Sequence, residues 1–147
     1  LINAMGNYRI DGQRVWKTPT TLILELFTRY HKGKILRTSV KCRTFASPRL
    51  GKQPIYKKNK LVDASATYDQ NQVCLSIVNK SEKDSLVISV PTHKRILESY
   101  LVNGSSPTDM NDKKQLEKVT IKKNKIKIGE NYIEVPPHSF SLVLIEV

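Results

Sequence analysis

Residues 132–147 constrain the fold of this chain more than any other stretch. Tyr132, Ile133, Glu134 and Val135 lead into Pro136-Pro137, after which Phe140, Leu142 and Leu144 alternate with Ser141, Val143 and Ile145. Neither proline has a backbone N–H to give to a ladder, so strand pairing must break at that corner. The run after the corner is apolar on both alternating faces, and such a strand is buried on both faces. Two buried strands turned through a corner are how a β-sandwich closes on itself.

One helix precedes the strands. Thr18 supplies an N-cap oxygen, and Pro19 stands at a first helical position, where no N–H is needed. Leu22, Ile23, Leu26, Phe27 and Tyr30 recur at helical spacing, and His31-Lys32-Gly33 supplies a cationic last turn and a stop. A helix over 19–32 is expected, its apolar stripe wide enough to pack on this chain's own sheet or on a larger body. Asp11-Gly12 reads as a turn before it. Trp16 reads as a packing anchor at the helix entrance rather than a platform for sugar.

Beyond Gly33 the helical period vanishes. Strand-like runs are expected at 34–42, 63–69, 72–79, 85–91, 95–103, 116–123, 125–128, 131–135 and 139–147, separated by turn chemistry at 69–72, 79–82, 103–104 and 129–131. Residues 44–60, with Pro48, Gly51, Pro54 and several lysines, lack a period and read as a long surface loop. The fold class is mainly β: a jelly-roll-like antiparallel β-sandwich carrying an N-terminal α-helix.

Composition bounds the function classes. A chain of 147 residues makes about one domain, and no apolar run approaches the ~18 residues of a membrane span, so no membrane partner is expected. The net charge of +12 raises the question of nucleic acid. The lysines at 57, 58 and 60, at 113 and 114, and at 122, 123, 125 and 127 are scattered through loops and alternating segments. Lys125 and Lys127 alternate with Ile126 and Ile128, as on a solvated edge strand. No aromatic-basic interleaving that would stack bases is evident, so no nucleic-acid partner is expected. A basic patch facing an acidic neighbouring domain or an anionic glycan stays open.

No catalytic, cofactor-binding or metal-binding residue is assigned. His31, His93 and His138 lack metal-ligand spacing to one another or to Cys42 and Cys74, and Ser139 points to the opposite strand face from its neighbour His138. His138 reads as a corner residue whose ring bonds nearby backbone. Asp109, Asn111 and Asp112 cluster but lack the glycine and distal glutamate of a calcium loop, and read as a solvated turn. There is no glycine-rich phosphate loop. Cys42 and Cys74 read as free thiols, a disulfide requiring Cα atoms within about 7 Å.

The ends of the chain carry a resemblance. Leu1-Ile2-Asn3-Ala4-Met5, then Val15-Trp16-Lys17-Thr18-Pro19 with the helix to Phe27, Tyr30 and His31, and Pro136-Pro137-His138-Ser139-Phe140 before a last apolar strand resemble the C-terminal domain of family 51 glycoside hydrolases, the α-L-arabinofuranosidases. Residues 63–67, 75–81 and the pair Gly104 and Asn111 flanking Ser106-Pro107 are similar as well. The resemblance implies a catalytic (β/α)8 barrel upstream. Residues 1–33 would then be its tail (strand end, loop and helix 19–32), and residues 34–147 the sandwich packed on it, with homo-oligomer contacts kept open. In that family a glutamate after an asparagine is the acid/base, and no Asn-Glu pair occurs here. The resemblance therefore implies a non-catalytic domain of an enzyme that removes terminal arabinofuranosyl residues from arabinan or arabinoxylan. The alternative is a carbohydrate-binding module for plant polysaccharide.

Overall fold

The computed structural model describes residues 6–49, 51–52, 54–89, 95–129 and 132–147. The motif at 1–5, His93, the end of the expected 85–91 strand and part of the 129–131 turn lie outside them. In chain order the elements are β1 (Tyr8–Asp11), β2 (Arg14–Lys17), α1 (Pro19–Tyr30), β3 (Lys34–Leu36), β4 (Thr44–Phe45), β5 (Asn59–Lys60), β6 (Val62–Asp69), β7 (Gln72–Asn79), β8 (Leu86–Ser89), β9 (Ile96–Val102), β10 (Ile121–Lys123), β11 (Lys127–Ile128), β12 (Tyr132–Val135) and β13 (Ser139–Glu146).

A six-stranded sheet in the order β10-β9-β13-β7-β6-β3 faces a three-stranded sheet in the order β11-β12-β8, and the described ladders are antiparallel. The architecture is the expected β-sandwich. The Pro136-Pro137 corner does more than end a ladder: β12 lies in the small sheet and β13 in the large one, so the corner carries the chain between layers. Asn79, 1% exposed, pins it, its amide donating to Pro136 O at 2.8 Å and Asp84 O at 2.9 Å while its Oδ1 accepts from Ser81 N.

β13 is buried from Ser139 to Ile145 because it is central in two senses. Within the sheet it pairs with β7 on one side and β9 on the other. Across the sheet, Phe140, Leu142 and Leu144 meet Leu22 and Leu26 of α1 together with Cys74, Tyr100 and Val102. Val143 and Ile145 point the other way, into the sandwich interior with Ile77, Leu101, Ile133 and Val135. The molecule therefore has three layers, helix on sheet on sheet. The two-faced apolar pattern of 139–147 is what a middle layer demands.

The helix begins as expected, with Thr18 as N-cap accepting from Thr21 N and Pro19 at the first position. It ends at Tyr30, two residues before the expected boundary. His31 is extended (φ −77°, ψ 91°), which lets its ring stack on Phe27 at 4.4 Å and reach Thr67 Oγ1. Of the two hosts left open for its stripe, α1 takes this chain's own sheet.

Other expectations need correction. Residues 8–17 form a hairpin of two strands where only a turn at Asp11-Gly12 was expected. The 34–42 strand is laddered only over β3. Beyond β3 the chain runs on beside the start of β6 without a ladder, held by Thr38 Oγ1 to Ala64 O (3.1 Å) and Leu61 N to Arg43 O (3.1 Å). There Val40 and Cys42 turn inward. The 44–60 loop contains the short β4–β5 pair, with Tyr56 and Ser47 exchanging backbone and side-chain bonds beyond it. Of the 116–123 strand only 121–123 pairs, because residues 109–119 fold around a buried amide.

Candidate functional site

That amide is Asn111. It is 3% exposed, and its Nδ2 donates to Lys17 O (3.0 Å) and Val119 O (2.9 Å), while its Oδ1 accepts from Val119 N (2.7 Å). Its own carbonyl accepts from Trp16 Nε1 at 2.9 Å. Hairpin, helix entrance and the 104–119 loop are thus stitched at one residue. Buried polar groups are stable only when their hydrogen bonds are made, and here four are. Trp16, 9% exposed, is the packing anchor that its position before the helix indicates.

Asn111 is therefore not part of a solvated turn, whereas its neighbours Asp109 and Asp112 serve the loop as acceptors. Asp109 is held well below the usual carboxylate range by the bond from Lys118, then by Ser105. Asp112 is lowered by the backbone N–H groups of Gln115 and Lys114. Among the described residues no three His, Cys, Asp or Glu side chains gather as metal ligands.

A groove of ≈ 300 Å³ runs beside this stitch, with Pro19, Ile23 and Phe27 of the helix on one wall and Pro107, Val119 and His138 among the residues opposite. His138 sits at positive φ (38°), its Nδ1 3.1 Å from Glu82 O and its Nε2 3.3 Å from Gly104 O. It is a corner brace. Ser139 Oγ donates instead to Pro136 O at 2.7 Å, so the two do not form a nucleophile and base.

At the far end of α1 the side chains form a relay. Tyr30 Oη donates to Tyr100 Oη (2.5 Å), Tyr100 to Glu98, and Lys123 Nζ lies 2.6 Å from Glu98. Lys123 and Tyr100 together lower Glu98, while burial, followed by the bond to Glu98, raises Tyr100. The relay gives the buried Tyr100 hydroxyl partners on both sides and ties helix to sheet. Six carboxylates of the described residues (Asp11, Glu25, Asp63, Glu98, Asp109 and Glu134) lie in ion pairs with Lys or Arg. Retaining glycoside hydrolysis needs two carboxyls about 5 Å apart, one with a raised affinity for its proton. The carboxyl shifts resolved here run downward instead.

The cysteines face different layers and are free: Cys74 is buried under the helix, and Cys42 is half-buried at the margin of the sandwich interior. Burial pushes the Cys74 thiol up to about 12. At pH 8 a thiol reagent is expected to modify Cys42 and to spare Cys74 until denaturant is added, since the thiolate is the reactive form. Counting labelled thiols before and after unfolding checks this.

No helix of the described residues is long and apolar enough to cross a membrane. In architecture the chain is similar to an α-L-arabinofuranosidase of Thermotoga maritima (TM-score 0.83, 21% identity, covering 100% of this chain and 33% of that one). It is also similar to the GH51 α-L-arabinofuranosidase of Thermotoga petrophila RKU-1 (TM-score 0.84, 20% identity, 99% and 32%). A third similar structure is the family 51 enzyme AbfB of Bifidobacterium longum (TM-score 0.81, 16% identity, 100% and 28%). At these identities the likeness establishes the fold, and the chain spans about a third of the length of those proteins. No curated protein matches it. The sequence itself matches the model of the alpha-L-arabinofuranosidase C-terminal domain over residues 1–139, from the first residue through the Pro-Pro corner and into β13. The chain belongs to that domain family.

Proposed function

We propose that this chain is the non-catalytic sandwich of a larger α-L-arabinofuranosidase, a retaining glycoside hydrolase acting on terminal arabinofuranosyl residues of arabinan or arabinoxylan. Its work is to pack on and stabilise the catalytic barrel, with residues 1–33 as the barrel's tail and 34–147 as the sandwich. The match of residues 1–139 to the C-terminal domain family carries this reading. It is supported by the outer surface of the first thirty residues, where Tyr8, Val15 and Leu24 are 49%, 57% and 43% exposed. These are large apolar groups on the three elements that would adjoin a barrel. A sandwich whose main work was sugar binding would gather its exposed aromatics on one sheet face. Tyr8, Phe45, Tyr56 and Tyr132 are instead distributed over β1, β4, the loop before β5, and β12.

The expected result is that the purified chain releases no arabinose from an aryl α-L-arabinofuranoside. Mixed with a separately expressed upstream barrel, it restores the barrel's stability and activity. Turnover by the chain alone, or a barrel that is stable and fully active without it, would overturn the reading.

A further inference from the structure

The positive charge of this protein is not spread over its surface. Between residues 26 and 62 there are eleven Lys and Arg and no Asp or Glu, while the rest of the chain holds fourteen basic residues against thirteen acidic ones. Nearly all of the +12 therefore resides in one quarter of the sequence. Among the described residues every ion pair is made elsewhere, by Arg14, Lys17, Lys80, Lys113, Lys118, Lys123 and Lys127. Among the described residues none of the eleven pairs with a carboxylate.

The fold draws these charges together. Residues 38–43 lie against 60–64, joined by the Thr38 and Leu61 bonds described above and by Lys60 Nζ to Val40 O at 2.7 Å. Val40 and Cys42 are half-buried against the sandwich interior, whereas Arg37, Lys41 and Arg43 around them are all exposed. Lys57 and Lys58 lie one turn away, exposed, beside Tyr56, which is 58% exposed. Asp63, the nearest acid in sequence, is neutralised by Lys80 at 2.7 Å.

We propose that the face formed by residues 37–43 and 56–60 binds a polyanionic glycan, one whose sugars carry carboxylates, and so holds the protein against acidic polysaccharide. The ligand class rests on the preceding reading that the parent acts on plant polysaccharide. The location rests on charge alone. Unpaired like charges held side by side repel one another, and an anionic chain laid along them removes that repulsion and releases counterions. Guanidinium and ammonium groups suit carboxylates, and an exposed tyrosine offers a flat apolar surface to a sugar ring.

The test is affinity electrophoresis of the 147-residue chain in gels containing polygalacturonate, neutral debranched arabinan or single-stranded DNA, at several salt concentrations. Two triple variants remove equal charge from exposed sites: K41Q/R43Q/K58Q on the proposed face, and K83Q/K114Q/K125Q elsewhere. The expected result is salt-sensitive retardation by polygalacturonate, weakened about tenfold in the first triple and less than about twofold in the second. Neutral arabinan should not retard the chain through this face. Equal losses in both triples would reduce the effect to net charge and overturn the proposal. Tighter retention by DNA at matched charge would assign the face to nucleic acid. A first triple that impairs barrel complementation on the neutral aryl substrate would make it a barrel contact instead. Because that assay contains no carboxylated sugar, its failure with the unaltered chain would count against the domain reading and not against the glycan face.

Discussion

Replacing Leu142 by Ala is expected to lower the unfolding free energy by about 3–5 kcal/mol, at the upper end of what truncating a buried leucine costs. Leu142 is fully buried at the middle of β13, opposite Ser76 on one side and Tyr100 on the other. Its side chain lies in the layer between sheet and helix, among Leu22, Leu26 and Phe140. Neighbours on two paired strands cannot move in to fill the space, so transfer and cavity costs add. Urea denaturation measures the loss, with Leu24→Ala as the comparison. Leu24 is 43% exposed on the outer side of the same helix, and its truncation should cost less than about 1 kcal/mol. Equal shifts in the two variants would mean that the helix does not pack as described.

The second large effect is expected at Asn111. Its replacement by Ala leaves the Val119 N–H without an acceptor and the carbonyls of Lys17 and Val119 without a donor, all in a buried setting. Each orphaned group costs about 1–3 kcal/mol, and partial relaxation toward water brings the expected total to about 3 kcal/mol. Optics distinguish this from a general loss of stability. Trp16 is the only tryptophan, and its indole bonds the carbonyl of Asn111. In the native baseline of Asn111→Ala its emission should shift to the red as the hairpin loosens, whereas in Leu142→Ala it should not. An unshifted Trp16 spectrum at unchanged stability would remove Asn111 from its assigned role.

Legibility in the sequence followed the kind of signal each segment carries. β7 was readable at its bounds, since Val73 to Val78 is a short, largely apolar run closed by Asn79, and Gln70 and Asn71, at φ 45° and 61°, tolerate the turn that precedes it. β13 was readable for its two-faced apolar run, and the domain's relatives through the motifs at both ends. Asn111 was hidden: an asparagine between Asp109 and Asp112 carries no period, and only the partners it meets 94 residues away show that it is buried. The hairpin of β1 and β2 was hidden for the same reason, as its inward residue Trp16 is matched by a loop rather than by a strand. The lysines misled in the opposite direction. Read one run at a time they look scattered, and what matters is where the acids are missing, a property of a whole segment rather than of a motif.

The position of β13 also sets an order of assembly. The strands it separates, β7 and β9, end about 60 and 40 residues before it begins, and neither pairs with the other. While the polypeptide is being made, the β6–β7 hairpin can form from local contacts, but β9 has no neighbour in its sheet until β10 and β13 have been synthesised. Both hydrophobic layers then lack their shared wall until a single late segment inserts. Closure of such distant contacts is slow compared with hairpin formation, and the half-built sheet exposes two unpaired inner edges in the meantime. The waiting period before β13 arrives is therefore when this domain is most open to edge-to-edge association with another nascent copy.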